Sequence, residues 1–296
     1  MRVTEKIRFE GARFRLESLN SRRTRVSEQL SSGKRINRPS DDPLGALRVD
    51  TLETERKHNV QLKRNLDSAY QQLRTSDGVL DEGAQSLYRV KELLIQSLTS
   101  IRTQDDLNNI AGEIEQITDH LLSLANTQTG HAYIFGGYRT DQPPYDATRN
   151  FQGDTNAKEL ELTAGSRVRV ASRGGSAFGD GTANTVDVFD NLEQIAAAIR
   201  ADDEVLREQE LGRLEESIEQ FITARFEIGG LLGRVDAAES VNAFFKERIP
   251  AMEADYRDTD APEAIAELQL VETALQATLS VSSREFSSAS LLDFLS

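Results

Sequence analysis

"LKRNLDSAYQQLRTSDGVLDEGAQSLYRVKELLIQSLTSI", residues 62–101, keeps a seven-residue apolar period from end to end. Leu66, Leu73, Leu80, Leu87, Leu94 and Ile101 form one row, and Leu62, Ala69, Ser76, Gly83, Val90 and Ser97 form the row beside it. A period of seven holds both rows on one side of an α-helix. Forty residues at about 1.5 Å each make a helix of about 60 Å. One row is large and the other mostly small, which suits close approach by a neighbouring helix. Gly83 and the polar members of the second row predict a loose coiled coil.

Working outward, the same period returns far along the chain in Leu214, Phe221, Ile228, Val235, Asn242, Ile249 and Tyr256. That stretch is the natural antiparallel partner of 62–101, with Pro250 expected to kink or restart it. Shorter helical faces appear at Ile110, Ile114, Ile117, Leu121 and Leu124, and at Leu192, Ile195 and Ile199. Between them, residues 126–190 turn rich in Gly, Thr, Asn and Pro. Within that region "KELELTAGSRVRV" (158–170) alternates: Leu160 and Leu162 on one side, an Ala164-Gly165 turn, then Val168 and Val170 on the matching side, a β-hairpin pattern. The fold class expected is therefore mainly α: long antiparallel coiled-coil-like helices from the N- and C-terminal halves, with a small β-rich insertion in the middle. The segments are 1–44 and 261–296 as terminal helical assembly segments, 45–128 and 191–260 as the two halves of a helical rod, and 129–190 as the insertion.

The break between the first two helices is "LSSGKRINRPSDDPLGA", residues 30–46. A phosphate loop would need a glycine five residues before its Gly-Lys and a hydroxyl after it; Glu28 and Arg35 stand there. Two carboxylates, Asp41 and Asp42, fall short of the roughly six oxygens of a hard-cation site. A helix joint fits: Gly33 takes the left-handed conformation that ends a helix, Asp41 or Asp42 caps the next, and Pro43 begins it. Leu30, Ile36, Asn37 and Pro39 complete the joint. After Pro262 a last amphipathic run carries Ile265, Leu268, Val271, Leu275 and Leu279, and the chain closes in "SLLDFLS" with Leu291, Leu292 and Leu295.

The 296 residues carry 35 Lys/Arg against 49 Asp/Glu, a net charge of -14, which argues against nucleic acid as the main partner. The balance is uneven: residues 1–40 hold eleven basic and four acidic side chains, whereas residues 250–296 hold two and nine. Opposite ends of the chain are electrostatically complementary and are expected to lie side by side. There is no cysteine for a disulfide, thiol nucleophile or thiolate metal site. The opening lacks the apolar run of a secretory signal, and no stretch approaches 18 apolar residues, so no membrane partner is expected. His58, His120 and His131 lie far apart, "RGGSAFGDGTAN" (173–184) lacks the strand and helix of a dinucleotide site, and "GDGTANTVD" misses the calcium-loop pattern. No catalytic, cofactor-binding or metal-ligating residue is assigned. Each terminal segment presents an apolar stripe, and isolated helices are marginal in water. The ends are expected to be largely disordered in the lone chain and helical when many chains pack.

On these residues the chain resembles the bacterial flagellin family. "LSSGKRINRPSDDPLGA" is similar to that family's N-terminal signature, "YRVKELLIQSLTS" (88–100) to its next one, and "SLLDFLS" to its hydrophobic C-terminal end. "NRPSDDPLGA", "TGHAYIFGGYRTDQPPY" (129–145) and "DAPEAIAELQLVETALQATL" (260–279) resemble the hook-filament junction branch rather than the filament subunits. The resemblance covers roughly 1–145 and 186–296. It implies a structural axial protein and no enzyme. It also implies a homo-oligomeric ring, contacts with flagellin and a neighbouring hook-associated protein, an export chaperone on the C-terminal helix, and extracellular placement in the flagellum by type III export without a cleavable signal. A filament flagellin and, from a different class, a soluble coiled-coil adaptor are the alternatives.

Overall fold

The computed structural model describes residues 2–98, 103–154, 156, 159–163, 165–169, 175–181 and 185–294; side chains are not described at 2–5, 8 and 285–294. It is mainly α with a small β insertion. The helices are α1 (Arg2–Ser32), α2 (Pro43–Leu98), α3 (Gln104–Ala125), α4 (Val188–Arg200), α5 (Glu204–Arg257) and α6 (Ala261–Phe294), and β1–β4 lie between α3 and α4. Two compact units result: Met1–His58 with Phe245–Ser296, and Asn59–Phe244.

In the second unit α2 and α5 lie antiparallel. Lys63 pairs with Glu239 (2.5 Å), Arg225 with Asp81 (2.6 Å) and Lys91 with Glu215 (2.7 Å). Along the seam Leu66, Leu73, Leu80, Leu87 and Leu94 of α2 and Leu214, Phe221, Ile228 and Val235 of α5 are all buried, as the heptads require. Ile101 lies outside the described residues. The small row matters most at Gly83, where an added Cβ would come within 2.4 Å of Phe221 Cε1. A large aromatic on one helix thus fills the notch left by a missing side chain on the other.

Helix α2 begins at Pro43, nineteen residues before the heptad stretch, because Asp42 caps it there. Pro250 does not restart the other long helix: α5 runs through it to Arg257. The carbonyl that loses its partner belongs to exposed Lys246, which water reaches, while buried Ile249 and Glu253 anchor the turns to either side.

Helix α3 starts on a full capping box, Thr103 and Asp106 exchanging backbone bonds, and α4 starts on Asp187, which accepts from Phe189 and Asp190 N–H. These two helices lie against each other, tied by Arg200 to Glu115 and by Arg149 to both Asp119 and Glu193. In the insertion, β1 (Gln128–Thr129) pairs antiparallel with β2 (Ala132–Tyr133), and β3 (Glu159–Thr163) with β4 (Ser166–Arg169). Leu160 faces Val168 around Gly165 at φ 76°, the expected hairpin; Ala164 and Val170 lie outside the described residues. The rest of the insertion is turns held by aromatic packing. Tyr145 and Phe178 are fully buried among Phe135, Phe151, Phe189 and Phe221, and the Tyr145 hydroxyl donates to the Gly179 carbonyl (2.6 Å). Burial first, then Asp187 and Asp180, push the Tyr145 phenol well above its ordinary pKa, so it stays neutral and donating.

Gly83→Ala is expected to lower the melting temperature although alanine favours helix by about 1 kcal/mol, because overpacking against Phe221 costs about 1–3 kcal/mol. Adding Phe221→Leu should recover part of the loss, read by thermal denaturation of the single and double variants.

Candidate assembly joint and terminal helix pair

The first unit is organised by two breaks in the chain that bond to each other. The 33–42 break separates α1 from α2, and the 258–260 break separates α5 from α6. Gly33 ends α1 at φ 69°, as a left-handed C-terminal residue does. Its carbonyl accepts from Thr259 N–H (3.0 Å), and Arg35 N–H donates to the Arg257 carbonyl (2.7 Å). The Arg35 guanidinium donates to the Tyr256 carbonyl (2.8 Å) and to Asp42 (3.2 Å). One arginine therefore satisfies the end of α5 and the start of α2 together, where a cation also meets the negative end of the α5 dipole.

The adjacent aspartates do different work. Asp42 is the N-cap of α2, its Oδ1 accepting from Gly45 N–H (2.9 Å). Asp41 closes the turn before it, Oδ2 accepting from the N–H groups of Asn37 (3.2 Å) and Arg38 (2.8 Å). Asn37 returns a bond to the Lys34 carbonyl, and Gln29 donates to the Arg35 carbonyl. Ile36 is buried with its Cδ1 over Gly45, where an added Cβ would come within 2.5 Å. Pro39 is exposed, and Pro43 is the first residue of α2. The Gly45 N–H, opposed by burial and aided by the Arg35 guanidinium, holds the Asp42 carboxyl below its ordinary range.

Helices α1 and α6 pack against each other. The less exposed positions of α1 are Ala12, Leu16, Leu19, Val26 and Leu30, and those of α6 are Ala264, Leu268, Val271, Leu275 and Thr278, each with the three-four spacing of a coiled-coil seam. Val26 and Val271 are fully buried, and Arg22 pairs with Glu267 across the seam (2.7 Å). The expected neighbouring of the basic and acidic ends is thus realised inside one chain. Within the chain Leu268, Val271 and Leu275 lie on the less exposed side of α6, while Leu279 is exposed. What remains open is a second set, Ile7, Phe9, Phe14, Ile265, Leu270, Leu279 and Val281, with Phe14 73% and Leu270 62% exposed. Both ends are helical in the described residues, because each supplies the other's seam. Leu291 and Leu292 lie in α6 without described side chains, and Leu295 lies outside the described residues.

Sequence reasoning missed the partner of the joint. Asp260 caps α6 by accepting from Glu263 N–H (3.2 Å), just as Asp42 caps α2; "DTDAP" (258–262) mirrors "SDDP" (40–43), and that likeness was the available signal. Arg35 carried none, being one of eleven basic residues in its segment. Among the described residues, no group of three or more His, Asp and Glu is placed to hold a metal, and no helix is long and apolar enough to cross a membrane. His120 is exposed and pairs with Glu82 (3.0 Å).

Residues 10–140 match the family model of the bacterial flagellin N-terminal helical region. Over that stretch the chain is similar to the bacterial flagellins. It is 26% identical over 276 residues to flagellar hook-associated protein 3 of Escherichia coli, covering 86% of this chain and 87% of that one. It is 27% identical over 278 residues to the flagellin of Bacillus subtilis, covering 90% of each. Among solved structures, a putative flagellar hook-associated protein from Vibrio parahaemolyticus superposes with a TM-score of 0.67 at 17% identity, over 74% of this chain and all of that one. The flagellar junction protein of Legionella pneumophila superposes at 0.58 and 13% identity, over 71% of this chain and 99% of that one. The fold of the chain is thus shared with these flagellar proteins.

Asp42→Ala should lower the melting temperature more than Asp42→Asn, since asparagine still caps a helix. The folded carboxyl is depressed below an unfolded value of about 3.9, so its contribution is full above that pH and is lost as pH falls through the folded value. The difference between parent and Asp42→Asn, followed by thermal melts from pH 7 to pH 2.5, is expected to hold steady and then close at the acid end.

Proposed function

We propose that this chain is an axial structural protein of the bacterial flagellum that forms the junction between a hook-associated ring below and the filament above. The single observation that carries the reading is the terminal helix pair. It is closed on one seam and still presents Phe14, Leu270 and their neighbours to solvent, on a chain like hook-associated protein 3 over most of both lengths. Burial of such a stripe contributes roughly 25 cal/mol per Å² of apolar area, and with about two helices per copy it is complete only when several copies surround a common axis. The partners proposed are further copies in a ring, flagellin, the neighbouring hook-associated protein, and an export chaperone that covers the C-terminal helix before assembly. Export through the growing flagellum without a cleavable signal gives an extracellular location.

The joint residues Leu30, Gly33, Ile36, Asn37, Pro39, Asp41, Asp42 and Pro43 are proposed to adapt the terminal pair to different neighbours above and below. Leu268, Val271, Leu275, Leu279, Leu291, Leu292 and Leu295 are proposed as the C-terminal assembly residues, Leu268, Val271 and Leu275 by holding α6 on α1 and Leu279 by facing outward to other copies. The role needs geometry and no chemistry, and no catalytic activity is proposed. A filament subunit is the second reading, favoured by the full-length likeness to the Bacillus subtilis flagellin.

The test is deletion of the gene, with electron microscopy of the cells and immunoblotting of the medium. Cells with hooks but no attached filaments, and flagellin shed into the medium, are expected; filaments of normal number would sink the junction reading. Restoring the chain as Phe14→Ser/Leu270→Ser should leave its melting temperature within the range set by about 0.5 kcal/mol yet fail to restore attachment.

A further inference from the structure

Within the α2–α5 seam one layer is polar. Asn59 and Asn242 are both buried, at 8% and 5% exposure. The Asn242 amide donates to the backbone carbonyl and to Oδ1 of Asn59, both at 2.8 Å, and the Asn59 amide donates to the Asn242 carbonyl at 3.1 Å. Each side chain therefore satisfies the other helix as well as its opposite number, so the pair is complete only in this alignment. Seven residues on in each direction the layer is Leu66 with Val235, then Leu73 with Ile228. Those layers resemble one another, and apolar packing distinguishes poorly between alignments one heptad apart. Even the notch at Gly83 has a small neighbour one heptad away in Ser76.

We infer that the reciprocal Asn59–Asn242 pair selects the axial register of the two long helices, at some expense of stability. A slip of one heptad sets Asn59 against Val235, or in the other direction Asn242 against Leu66, and strands buried amides against aliphatic carbon. An unsatisfied buried amide is far more costly than a missing apolar contact, so the pair acts mainly against the wrong alignments. The inference concerns the isolated chain and stands whether or not the chain works at the hook-filament junction.

The absence of cysteine makes the test clean. Lys63→Cys with Glu239→Cys reports the native register through a disulfide, because these side chains already meet; Lys63→Cys with Leu232→Cys or with Lys246→Cys reports the two slipped ones. The parent should yield only the native disulfide. Asn59→Leu/Asn242→Leu should melt at or above the parent temperature while a slipped disulfide appears. Adding Leu66→Asn/Val235→Asn, which moves the polar layer by one heptad on both helices, should return the product to the native disulfide alone. Exclusively native disulfide in the double leucine variant would overturn the inference, as would slipped product persisting with the moved pair. A double leucine variant that melts below both single variants, or fails to fold, would show the pair to be needed for packing rather than for selection, and would overturn it too.

Discussion

The constraint on which the second unit rests is the close antiparallel approach of α2 and α5. A row of leucines meets a row of comparable size only because the adjacent row of α2 is small: Ala69, Ser76 and Gly83 leave room for Phe221 and its neighbours. Phe221 then reaches beyond the seam, packing edge-on against Phe178 (4.9 Å between ring centroids). The aromatic cluster that organises the irregular insertion therefore starts from the helix pair itself. The insertion's small sheets add little burial of their own, and its position depends on Phe178, which meets Phe221 of α5 and packs against Tyr145 and Phe189.

Periodic features were legible in the sequence and reciprocal ones were not. Heptads announced both long helices and their pairing, alternation announced the β3–β4 hairpin, and Gly33 with Asp42 and Pro43 announced a joint. Each is a local pattern with a physical period or a fixed turn geometry. What escaped was whatever depends on two distant segments at once. Arg35 serving Tyr256, Gly33 accepting from Thr259, and Asn59 answering Asn242 all join residues about 180–225 positions apart. A single polar residue in an apolar row reads as a weak spot until its partner is known. The persistence of α5 through Pro250 belongs to the same class, since it rests on the burial of Ile249 and Glu253 and not on local propensity.

The joint gives the terminal pair its entry geometry. Two chain breaks, each with its own aspartate cap, share backbone bonds between Gly33 or Arg35 and Arg257 or Thr259. Such a junction is stiff in its hydrogen bonding but small in its apolar content, with Ile36 as its buried anchor. Rearranging it exchanges a few backbone bonds for water and exposes little carbon, a modest cost beside the apolar area a packed terminal pair would bury.

Charge is unevenly divided between the two units. The unit made of 1–58 and 245–296 holds 18 Lys/Arg against 19 Asp/Glu, near neutrality, whereas 59–244 holds 17 against 30. Copies brought side by side through the second unit repel, and salt beyond about 0.1 M, where the screening length is about 10 Å, relieves that repulsion. The near-neutral terminal unit meets no such barrier and carries the exposed Phe14 and Leu270. Association through the ends should therefore strengthen with added salt, since screening removes an opposing term and leaves apolar burial intact. A contact held mainly by the basic α1 on an acidic neighbour would weaken under the same addition. Sedimentation of the full chain at rising salt separates the two, and strengthening is the outcome that apolar assembly through the terminal helices requires.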